Sequence, residues 1–497
     1  MASKSLLDNK AKLIEYINEN LAPTKDDRHT RGEVFTPLDF INKNVLSSLE
    51  KYYKKTYGKN IWTCKEKKWF DPAAGMGNFQ ICIYYKLMNG LKKIIPNHKE
   101  RKKYILEEMI FMAEINTKNC YVINNLIFNV NNNYNLNLYK GDSLEIDFNK
   151  NKEFKKLKDN SENIIIIGNP PWNKEMITKK GSGSPYYNEF VNTFIDECNI
   201  LSYIIPNRWF SCGKGLDSFR KDMLNRDDIV EIKTYDNASD IFGSIVEVKG
   251  GINHFIKDNK YKGKCKFNNK LINLNSYDIL FDSKYFNLVD LVNNKINETE
   301  YSLKDICIGQ SYSGITTNDS RLVESSNEDY INNTKNYTKC YVSLQKNKDR
   351  TMYILKSYLN TIYNKKKNKY IKRKLNRNFK LWKVFTPRSA HGSKSGFSNN
   401  FIIGKPGEVC NQSYIVFEVL SKKHAENLIS YLETKFVNLL LSIRKLSQDI
   451  SPNTCLWIPL VPLDNKWDDE RVYKYMNFND NIVKLILNCK INNYINK

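Results

Sequence analysis

The segment IIIIGNPPW at residues 164–172 decides how the N-terminal half of this sequence folds. Four consecutive isoleucines predict a strand covered on both faces, because short β-branched runs are typical of buried parallel strands. Pro170 and Pro171 follow almost at once and exclude a helix, since neither donates a backbone hydrogen bond. A buried strand therefore ends by presenting an amide, Asn169, and an indole, Trp172.

The length and charge of the chain narrow its class before any further motif is considered. A chain of 497 residues favours two or three domains over a single core. Its formal net charge of +24 favours a polyanionic partner such as nucleic acid, and the alternative is a solvated basic surface. The sequence has neither a signal-peptide core nor an apolar run long enough to span a membrane, so we expect an intracellular, cytoplasmic protein that is not inserted in a membrane.

The cysteines indicate neither a zinc site nor a disulfide framework. There are 11 cysteines, an odd number, and five histidines, and no two cysteines form a C-x-x-C pair. We therefore expect reduced, mostly buried thiols and no bound metal.

From about residue 60 to residue 255, short apolar segments alternate with amphipathic ones. The predicted strands are IWTC (61–64) before KWFDP, MIFMAEI (109–115), NLYKGD (137–142), NIIIIGN (163–169), LSYIIP (201–206), EIKTYD (231–236) and GGINHFI (250–256). The predicted helices are residues 5–21, NFQICIYYKLMNGL (78–91) and NEFVNTFIDEC (188–198). This alternation predicts a doubly wound α/β sheet.

The segment DPAAGMGNF at residues 71–79 follows one of these strands and leads into a predicted helix. Its glycines, Gly75 and Gly77, let the backbone turn tightly and approach a ligand. The next strand ends in Glu114, and Asp142 follows the strand after it, so two acids lie at the same predicted sheet edge. This edge predicts a site for a nucleoside-like cofactor, and it is not a phosphate loop, because no G-K-[ST] follows.

Taken in chain order, these motifs resemble those of a known family. The chain resembles the γ class of N6-adenine-specific DNA methyltransferases, of the type II restriction–modification kind, in GEVFTP (32–37), D-P-x-x-G-x-G-x-F (71–79), a strand-end acid, Gly-Asp and Asn-Pro-Pro-Trp (169–172). LSYIIPNRWFSCGKGLDSFR (201–220) and VEVKGGINHFI (246–256) fit later motifs of that family. The resemblance covers about residues 30–256 and implies a Rossmann-like, S-adenosylmethionine-dependent methyltransferase domain.

The resemblance assigns S-adenosylmethionine to residues of the first four motifs. Phe35, Thr36 and Pro37 are implied to line its methionine end, Glu114 to bind its ribose and Asp142 its adenine amino group. The expected cofactor-binding residues are Phe35, Thr36, Pro37, Asp71, Pro72, Gly75, Gly77, Phe79, Glu114, Asp142 and Asn169.

The same resemblance implies a reaction at the amine of an adenine that is flipped out of the duplex and becomes N6-methyladenine. The Asn169 side-chain oxygen and the Pro170 carbonyl would accept hydrogen bonds from that amine, so that its lone pair attacks the methyl group directly. Pro171 helps to fix the carbonyl, and Trp172 would stack on the flipped base, where the family usually has tyrosine. Phe255 is expected to form the second face of this aromatic clamp, and the alternative is a buried strand residue.

The alternation of strands and helices breaks down after about residue 275. We place a methyltransferase catalytic domain at residues 1–290, with an N-terminal helical extension at 1–30. An α+β target-recognition domain that binds DNA is placed at residues 291–497. The implied partner is double-stranded DNA, bound by a monomer, and both a separately encoded restriction endonuclease and a solitary enzyme remain open.

Residues 351–380 contain ten Lys or Arg, no acid and several interleaved tyrosines. This composition suits contacts with DNA phosphates, and the alternative is a solvated basic helix. The expected DNA-binding residues are Lys365, Lys366, Lys367, Lys369, Lys372, Arg373, Lys374 and Arg377. Later in the chain, apolar residues at helical spacing over residues 421–446 predict a core-facing helix.

Other methyl-transfer reactions fit the sequence less well. Cytosine C5 enzymes need a nucleophilic cysteine, usually after proline, and the chain has no Pro-Cys dipeptide. Cytosine N4 enzymes more often have Ser where Asn169 stands, and enzymes that methylate protein glutamine lack GEVFTP and a basic C-terminal half. An rRNA adenine-N6 methyltransferase is the nearest alternative enzyme. A non-enzymatic DNA-binding protein with a decayed site is a further alternative.

Asp240, Glu247 and Lys249 match the D…E-x-K pattern of a restriction-nuclease metal site. These residues lie inside the methyltransferase motif series, and we expect no separate nuclease domain before residue 31. A bifunctional restriction enzyme and methyltransferase is therefore the less favoured alternative. The segment TKKGSGSP at residues 178–185 is either a loop that closes over DNA or a plain connector.

Overall fold

The computed structural model describes residues 6–20, 35–130, 133–148, 150–158, 161–174, 184–211, 215–243, 250–309, 314–344, 348–359, 361–364, 369–372, 379–389, 392, 394–445, 448–492 and 494. The chain divides into two compact units, Met1–Ser283 and Lys284–Lys497.

The first unit is built on a nine-stranded sheet. Its strands are β1 (Lys68–Asp71), β2 (Ile110–Glu114), β3 (Asn137–Lys140), β4 (Ile164–Gly168), β5 (Ile200–Pro206), β6 (Ile229–Tyr235), β7 (Ile252–Asp258), β8 (Cys265–Phe267) and β9 (Lys270–Ile272). They lie in the order β3-β2-β1-β4-β5-β7-β6-β8-β9.

The strands from β3 to β5 in this order run parallel to one another, and β7 lies antiparallel between β5 and β6. The carboxyl ends of parallel strands meet at one edge of a sheet. Asp71, Glu114 and Gly168, the last residues of β1, β2 and β4, therefore share an edge. The register pairs Phe70 with Ile166, so the glycine motif and the Asn-Pro-Pro-Trp corner start from neighbouring strands.

Helices connect these strands. The helices are α1 (Lys10–Asn20), α2 (Leu38–Phe40), α3 (Ser47–Tyr57), α4 (Asn78–Gly90), α5 (His98–Tyr104), α6 (Thr117–Tyr121), α7 (Lys152–Lys158), α8 (Tyr187–Phe194), α9 (Asp217–Leu224) and α10 (Ser239–Phe242). Segments of π-helix continue α2, α5 and α6 over Ile41–Leu46, Ile105–Met109 and Val122–Phe128. The predicted α/β class with a large central sheet is confirmed, and the doubly wound arrangement stays a prediction.

One predicted strand is wrong. IWTC forms a 3-10 turn, Ile61–Thr63. The Asn60 side chain accepts a hydrogen bond from the Trp62 backbone N–H and so caps this turn at its N-terminus. The Trp62 ring then stacks on Trp69 of β1, with centroids 4.9 Å apart. These apolar residues therefore pack against the sheet instead of forming part of it.

The isoleucine strand β4 is buried along its whole length, as its sequence predicts. Beside it, the Phe70 ring of β1 contacts Phe154 of α7 and Phe194 of α8 edge-on, with centroids 5.5 and 5.8 Å apart. Burial of an apolar side chain of this size stabilises a fold by about 1.5–3 kcal/mol. The strand is thus a firmly packed base for the residues that follow it.

The second unit contains smaller sheets and further helices. Its strands are β10 (Cys307–Ile308), β11 (Tyr337–Leu344), β12 (Lys348–Leu355), β13 (Thr361–Asn364), β14 (Lys369–Lys372), β15 (Trp382–Pro387), β16 (Ile402–Gly404), β17 (Val409–Cys410) and β18 (Tyr414–Val419). They pair in the orders β10-β18-β15-β16, β12-β11-β17 and β13-β14. Its helices are α11 (Phe286–Thr299), α12 (Glu328–Asn332), α13 (Lys422–Leu432), α14 (Lys435–Arg444), α15 (Asp469–Tyr475) and α16 (Asp480–Asn488).

The single helix predicted over residues 421–446 is two helices, α13 and α14. The side chain of Thr434 accepts a hydrogen bond from the Val437 backbone N–H and caps the start of α14. The apolar positions nevertheless lie in the core, since Leu428 and Phe436 are fully buried. The spacing identified the buried face correctly, but it did not show the break between the helices.

Two expectations about composition can be compared with the described part of the chain. No helix within it is both long and apolar enough to cross a bilayer. Its cysteines are all free, and Cys489 alone among them is not buried. The expectation of unpaired, mostly buried thiols is confirmed for these residues.

Candidate functional site

The glycine motif forms a tight loop between β1 and α4. Gly75 and Gly77 have φ angles of 56° and 83°, which residues with a side chain rarely adopt. A Cβ at Gly75 would lie 3.2 Å from the Phe35 ring, and one at Gly77 would lie 3.0 Å from the Phe128 ring. The backbone conformation therefore favours glycine at both positions, and a Cβ would in addition crowd an aromatic ring, as in a tight turn beside a ligand.

Glu114, the last residue of β2, holds this loop in place. Its two carboxylate oxygens accept hydrogen bonds from the backbone N–H groups of Gly75 and Asn116, each at 2.7 Å. Its backbone carbonyl accepts a hydrogen bond from the Gly141 N–H at 3.0 Å, which links it to the Gly-Asp motif. The structure thus brings three of the predicted motifs together at Glu114, while its contact with a ribose stays a prediction.

Asp71 is buried at the same edge. Its Oδ1 accepts a hydrogen bond from the Ala73 backbone N–H at 3.0 Å, and its Oδ2 has no hydrogen-bond partner among the described residues. Burial raises the pKa of Asp71 to about 7, although the hydrogen bond from Ala73 opposes this rise. Gly168 passes so close that a Cβ there would lie 2.5 Å from Oδ1. Asp71 therefore orients the glycine loop from inside the fold.

Asp142 follows β3 and is half-buried. Its Oδ1 accepts a hydrogen bond from the Leu144 backbone N–H at 2.9 Å, and its Oδ2 accepts one from the Tyr186 hydroxyl at 3.4 Å. Burial, followed by the charge of Asp142, raises the pKa of Tyr186 to about 12, so the hydroxyl keeps its proton near neutral pH. The sequence motifs did not single out Tyr186, which nevertheless contacts a predicted cofactor residue.

The Phe-Thr-Pro segment contacts the corner that follows β4. Thr36 Oγ1 accepts a hydrogen bond from Asn169 Nδ2 at 3.2 Å. The Thr36 carbonyl accepts another from Nδ2 of Asn78, the first residue of α4, at 2.9 Å. Thr36 therefore joins the glycine motif to Asn169, so that motifs far apart in sequence form one site.

Trp172 folds back on its own motif. Its Nε1 donates a hydrogen bond to Asn169 Oδ1 at 2.8 Å, and its carbonyl accepts one from the Tyr186 N–H at 3.1 Å. The indole is 6% exposed and meets Phe242 of α10 edge-on, with centroids 5.5 Å apart and planes at 79°. In this arrangement the indole does not present an open stacking face.

Phe255 packs inside the sheet. It lies on β7, is fully buried and contacts Tyr203 of β5 edge-on, with centroids 6.5 Å apart. This position matches the alternative for Phe255, a buried strand residue. The ring that contacts Trp172 is Phe242, which the motifs did not select. Its position shortly after β6, a strand parallel to β4, is the signal that could have identified it.

The remaining predicted cofactor and catalytic residues lie around these contacts. Pro72, Phe79 and Pro170 are buried, and Pro37 and Pro171 are half-buried. Pro37 precedes the first residue of α2 in extended conformation, with φ of −61° and ψ of 137°.

The predicted DNA-binding residues fall largely outside the described part of the chain. Lys369 and Lys372 lie on β14, which pairs antiparallel with β13. The positions outside are Lys365, Lys366, Lys367, Arg373, Lys374 and Arg377. The alternative of a basic helix is wrong for the described residues 361–364 and 369–372, because both ranges are strands.

Residues 178–183 of the TKKGSGSP segment, together with Glu247 and Lys249, also lie outside the described residues. At the base of that segment, the Lys174 N–H donates a hydrogen bond to the Ser184 carbonyl at 3.0 Å. Within the ranges that the structure describes, no three His, Cys, Asp or Glu side chains form a group that could hold a metal.

Residues 98–242 match the family model described as Eco57I restriction-modification methylase. The matched range contains Glu114, Asp142 and the Asn-Pro-Pro-Trp corner. A relative from Mycoplasma pneumoniae (strain ATCC 29342 / M129 / Subtype 1), described as an "Uncharacterized adenine-specific methylase", is 26% identical over an alignment of 335 positions that covers 54% of this chain and 77% of that protein. The chain is similar to restriction–modification methylases. These two similarities support a methyltransferase of the restriction–modification type.

Solved structures of restriction enzymes are also similar to most of this chain. The type IIG restriction endonuclease BpuSI has a TM-score of 0.41 and 12% identity, over 98% of this chain and 63% of that one. A nuclease-deletion mutant of the Type ISP restriction-modification enzyme LlaGI, in complex with a DNA substrate mimic, has a TM-score of 0.49 and 12% identity, over 89% of this chain and 54% of that one. The chain thus spans 63% and 54% of the lengths of these proteins, and TM-scores below 0.5 do not establish a shared fold.

Proposed function

We propose that this protein is a site-specific DNA methyltransferase of the γ class. It transfers a methyl group from S-adenosylmethionine to the N6 amino group of an adenine that is flipped out of double-stranded DNA. The observation that carries the proposal is the hydrogen bond from Asn169 to Thr36, through which the Phe-Thr-Pro segment, the glycine motif and the Asn-Pro-Pro-Trp corner meet. The similarities to an Eco57I methylase and to an adenine-specific methylase support this class of reaction and this base.

The first three motifs fit a cofactor that contains a nucleoside. Gly75 has a positive φ of 56°, so the backbone turns tightly there, as a loop that approaches a ligand closely requires. Glu114 and Asp142 provide carboxylate oxygens at neighbouring strand ends, which suit ribose hydroxyls and an adenine amino group. S-adenosylmethionine, when bound, supplies a methyl group on a sulfonium centre. Phe35, Thr36 and Pro37 would line its methionine end.

Asn169 and Pro170 prepare the target amine for attack. The exocyclic amine of adenine is a weak nucleophile, because its lone pair is delocalised into the ring. Asn169 Oδ1 and the Pro170 carbonyl would accept hydrogen bonds from its two N–H groups and draw the nitrogen toward tetrahedral geometry. The lone pair would then be directed at the methyl carbon, so that the new N–C bond forms as the methyl–sulfur bond breaks. The sulfur would leave as a neutral thioether, the amine would release one proton to solvent, and no covalent bond to the protein would form. Trp172 would turn away from its contact with Phe242 to stack on the flipped base, which would offset an extrusion cost of a few kcal/mol.

We assign catalysis to residues 1–290 and target recognition to residues 291–497. The basic composition of residues 351–380 suits contacts with phosphates, which give affinity that falls with salt and carries no sequence information. The protein would act as a monomer on DNA in the cytoplasm, alone or beside a separately encoded restriction endonuclease.

A transfer assay tests the proposal. The full chain receives labelled S-adenosylmethionine together with duplex DNA, RNA and protein, and the modified residue is identified. We expect label in N6-methyladenine of DNA, and label in any other product contradicts the proposal. Asn169→Ala is expected to lose transfer and to leave cofactor binding largely intact, because most of the expected cofactor contacts come from other residues. Asn192→Ala, at an exposed asparagine of α8, is the matched control and is expected to behave as the wild type.

A further inference from the structure

Thr36 and Trp172 contact the two ends of a single amide. Asn169 Nδ2 donates a hydrogen bond to Thr36 Oγ1 at 3.2 Å, and Asn169 Oδ1 accepts one from Trp172 Nε1 at 2.8 Å. The nitrogen and oxygen ends of a primary amide have nearly the same shape but opposite hydrogen-bonding roles. The partners of Asn169 therefore decide which end faces the target base.

The indole N–H can only donate a hydrogen bond, so it can pair with the oxygen end of the amide but not with the nitrogen end. The amine of the target adenine is also a donor at this position. In the protein without DNA, Trp172 thus provides the same kind of group that the proposed reaction brings to Asn169 Oδ1. Phenylalanine and tyrosine have no ring N–H and could not make this contact.

Thr36 is placed to keep that orientation when the indole moves away. Its side chain is 3% exposed, and its carbonyl accepts a hydrogen bond from Asn78 Nδ2 at 2.9 Å. The first residue of α4 therefore fixes the backbone at Thr36, and this places the hydroxyl next to Asn169 Nδ2 without any contribution from the target base.

We propose that Thr36 and Trp172 position Asn169. The indole N–H of Trp172 keeps Asn169 Oδ1 turned to the base site until a target amine replaces it, and the Thr36 hydroxyl retains the nitrogen end during that exchange. Thr36 is then a positioning residue for the amide, in addition to its expected place at the methionine end of the cofactor. This inference rests on the proposed function.

The experiment measures the single-turnover rate of methyl transfer and the cofactor Kd for the full chain and its variants. Thr36→Val removes the hydroxyl at nearly constant volume and is expected to lower the rate about 3- to 10-fold, the effect of losing one hydrogen bond. The cofactor Kd is expected to stay within about twofold. Thr36→Ser keeps the hydroxyl and is expected to restore the rate. Thr36→Ala also removes the hydroxyl but does not put a methyl group in its place, and it is expected to lower the rate as Thr36→Val does. Thermal melting shows whether each variant is folded.

A second arm repeats Thr36→Val in the Trp172→Phe background. The loss caused by Thr36→Val is expected to be larger there, because the hydrogen bonds from Trp172 Nε1 and to Thr36 Oγ1 are then both absent. An unchanged rate in Thr36→Val, or a rise in cofactor Kd that accounts for the whole loss, overturns the inference while the proposed function stands. An equal loss in both backgrounds also overturns it. A wild-type chain that does not methylate adenine in DNA overturns both.

Discussion

The backbone N–H of Gly75 donates a hydrogen bond to Glu114 Oε2 over 2.7 Å, so the acid at the end of β2 fixes the loop that follows β1. Glu114→Gln turns one of the two acceptors into a donor that faces a backbone N–H. We expect it to raise the Kd for S-adenosylmethionine about tenfold or more, measured by calorimetry. Glu197→Gln, at an exposed acid, is the control, and equal affinities in the two variants would contradict the assignment.

Variants at Gly75 and Gly58 distinguish the effect of backbone strain from the effect of steric conflict. Both have positive φ, but a Cβ at Gly58 would meet no atom within 4 Å, whereas one at Gly75 would press on Phe35. Alanine at either position should lower the free energy of unfolding by about 1 kcal/mol. Only Gly75→Ala should also weaken cofactor binding. Calorimetric Kd values for the two variants decide this, and the expectation fails if Gly58→Ala is equally impaired.

Asp71 should make the stability of the protein depend on pH. Its pKa is raised from 3.8 to about 7 by burial, so the folded chain binds more protons than the unfolded chain between these values. Stability therefore falls as the pH rises from about 4 through 7, by about 1.4 kcal/mol per pH unit at most. Asp71→Asn cannot ionise and should lose less stability over this window.

Urea unfolding at pH 5 and pH 8 measures the effect. We expect the difference between Asp71→Asn and the wild type to change by a few kcal/mol between these pH values, in favour of the variant at pH 8. Asp236→Asn, at an exposed acid, serves as the control. Parallel pH profiles for wild type and Asp71→Asn would refute the role of burial at Asp71.

Trp172 should act on the flipped base mainly through its ring. Stacking of a base on an aromatic side chain contributes about 1–3 kcal/mol, so Trp172→Ala should lower the flipped population about 5- to 150-fold. Trp172→Phe keeps a ring and should lose much less. The fluorescence of 2-aminopurine at the target position reports the flipped population. Equal signals from the two variants would show that the indole does not stack on the base.

The basic residues at 351–380 should increase the affinity for DNA without any preference for sequence. Replacing Lys372, Arg373 and Lys374 together with neutral residues removes three positive charges and is expected to weaken binding to all duplexes about equally, with a smaller dependence on salt. Titrations of specific and unrelated duplexes at several salt concentrations provide the test. A loss confined to one sequence context would instead assign base contacts to these residues.

The sequence predicted the strands and their polar ends because both depend on local patterns. Isoleucines of β4, glycines of the loop and the acid at the end of β2 each fit a short motif. The hydrogen bond between Thr36 and Asn169 joins residues that are 133 positions apart, so no local sequence pattern predicts it. The contact of Trp172 with Phe242 depends on side-chain directions, which spacing does not give. Capping by Asn60 likewise outweighed the strand propensity of the residues after it.

A side chain on a neighbouring strand, that of Asp71, leaves space only for glycine at position 168. A Cβ there would lie 2.5 Å from Asp71 Oδ1, although Gly168 lies in a regular strand. We therefore expect the acid of one motif and the residue before the Asn-Pro-Pro-Trp corner to restrict each other in size. Across related sequences, a larger residue at 168 should be found only where position 71 has a smaller one, so that these two positions change as a pair.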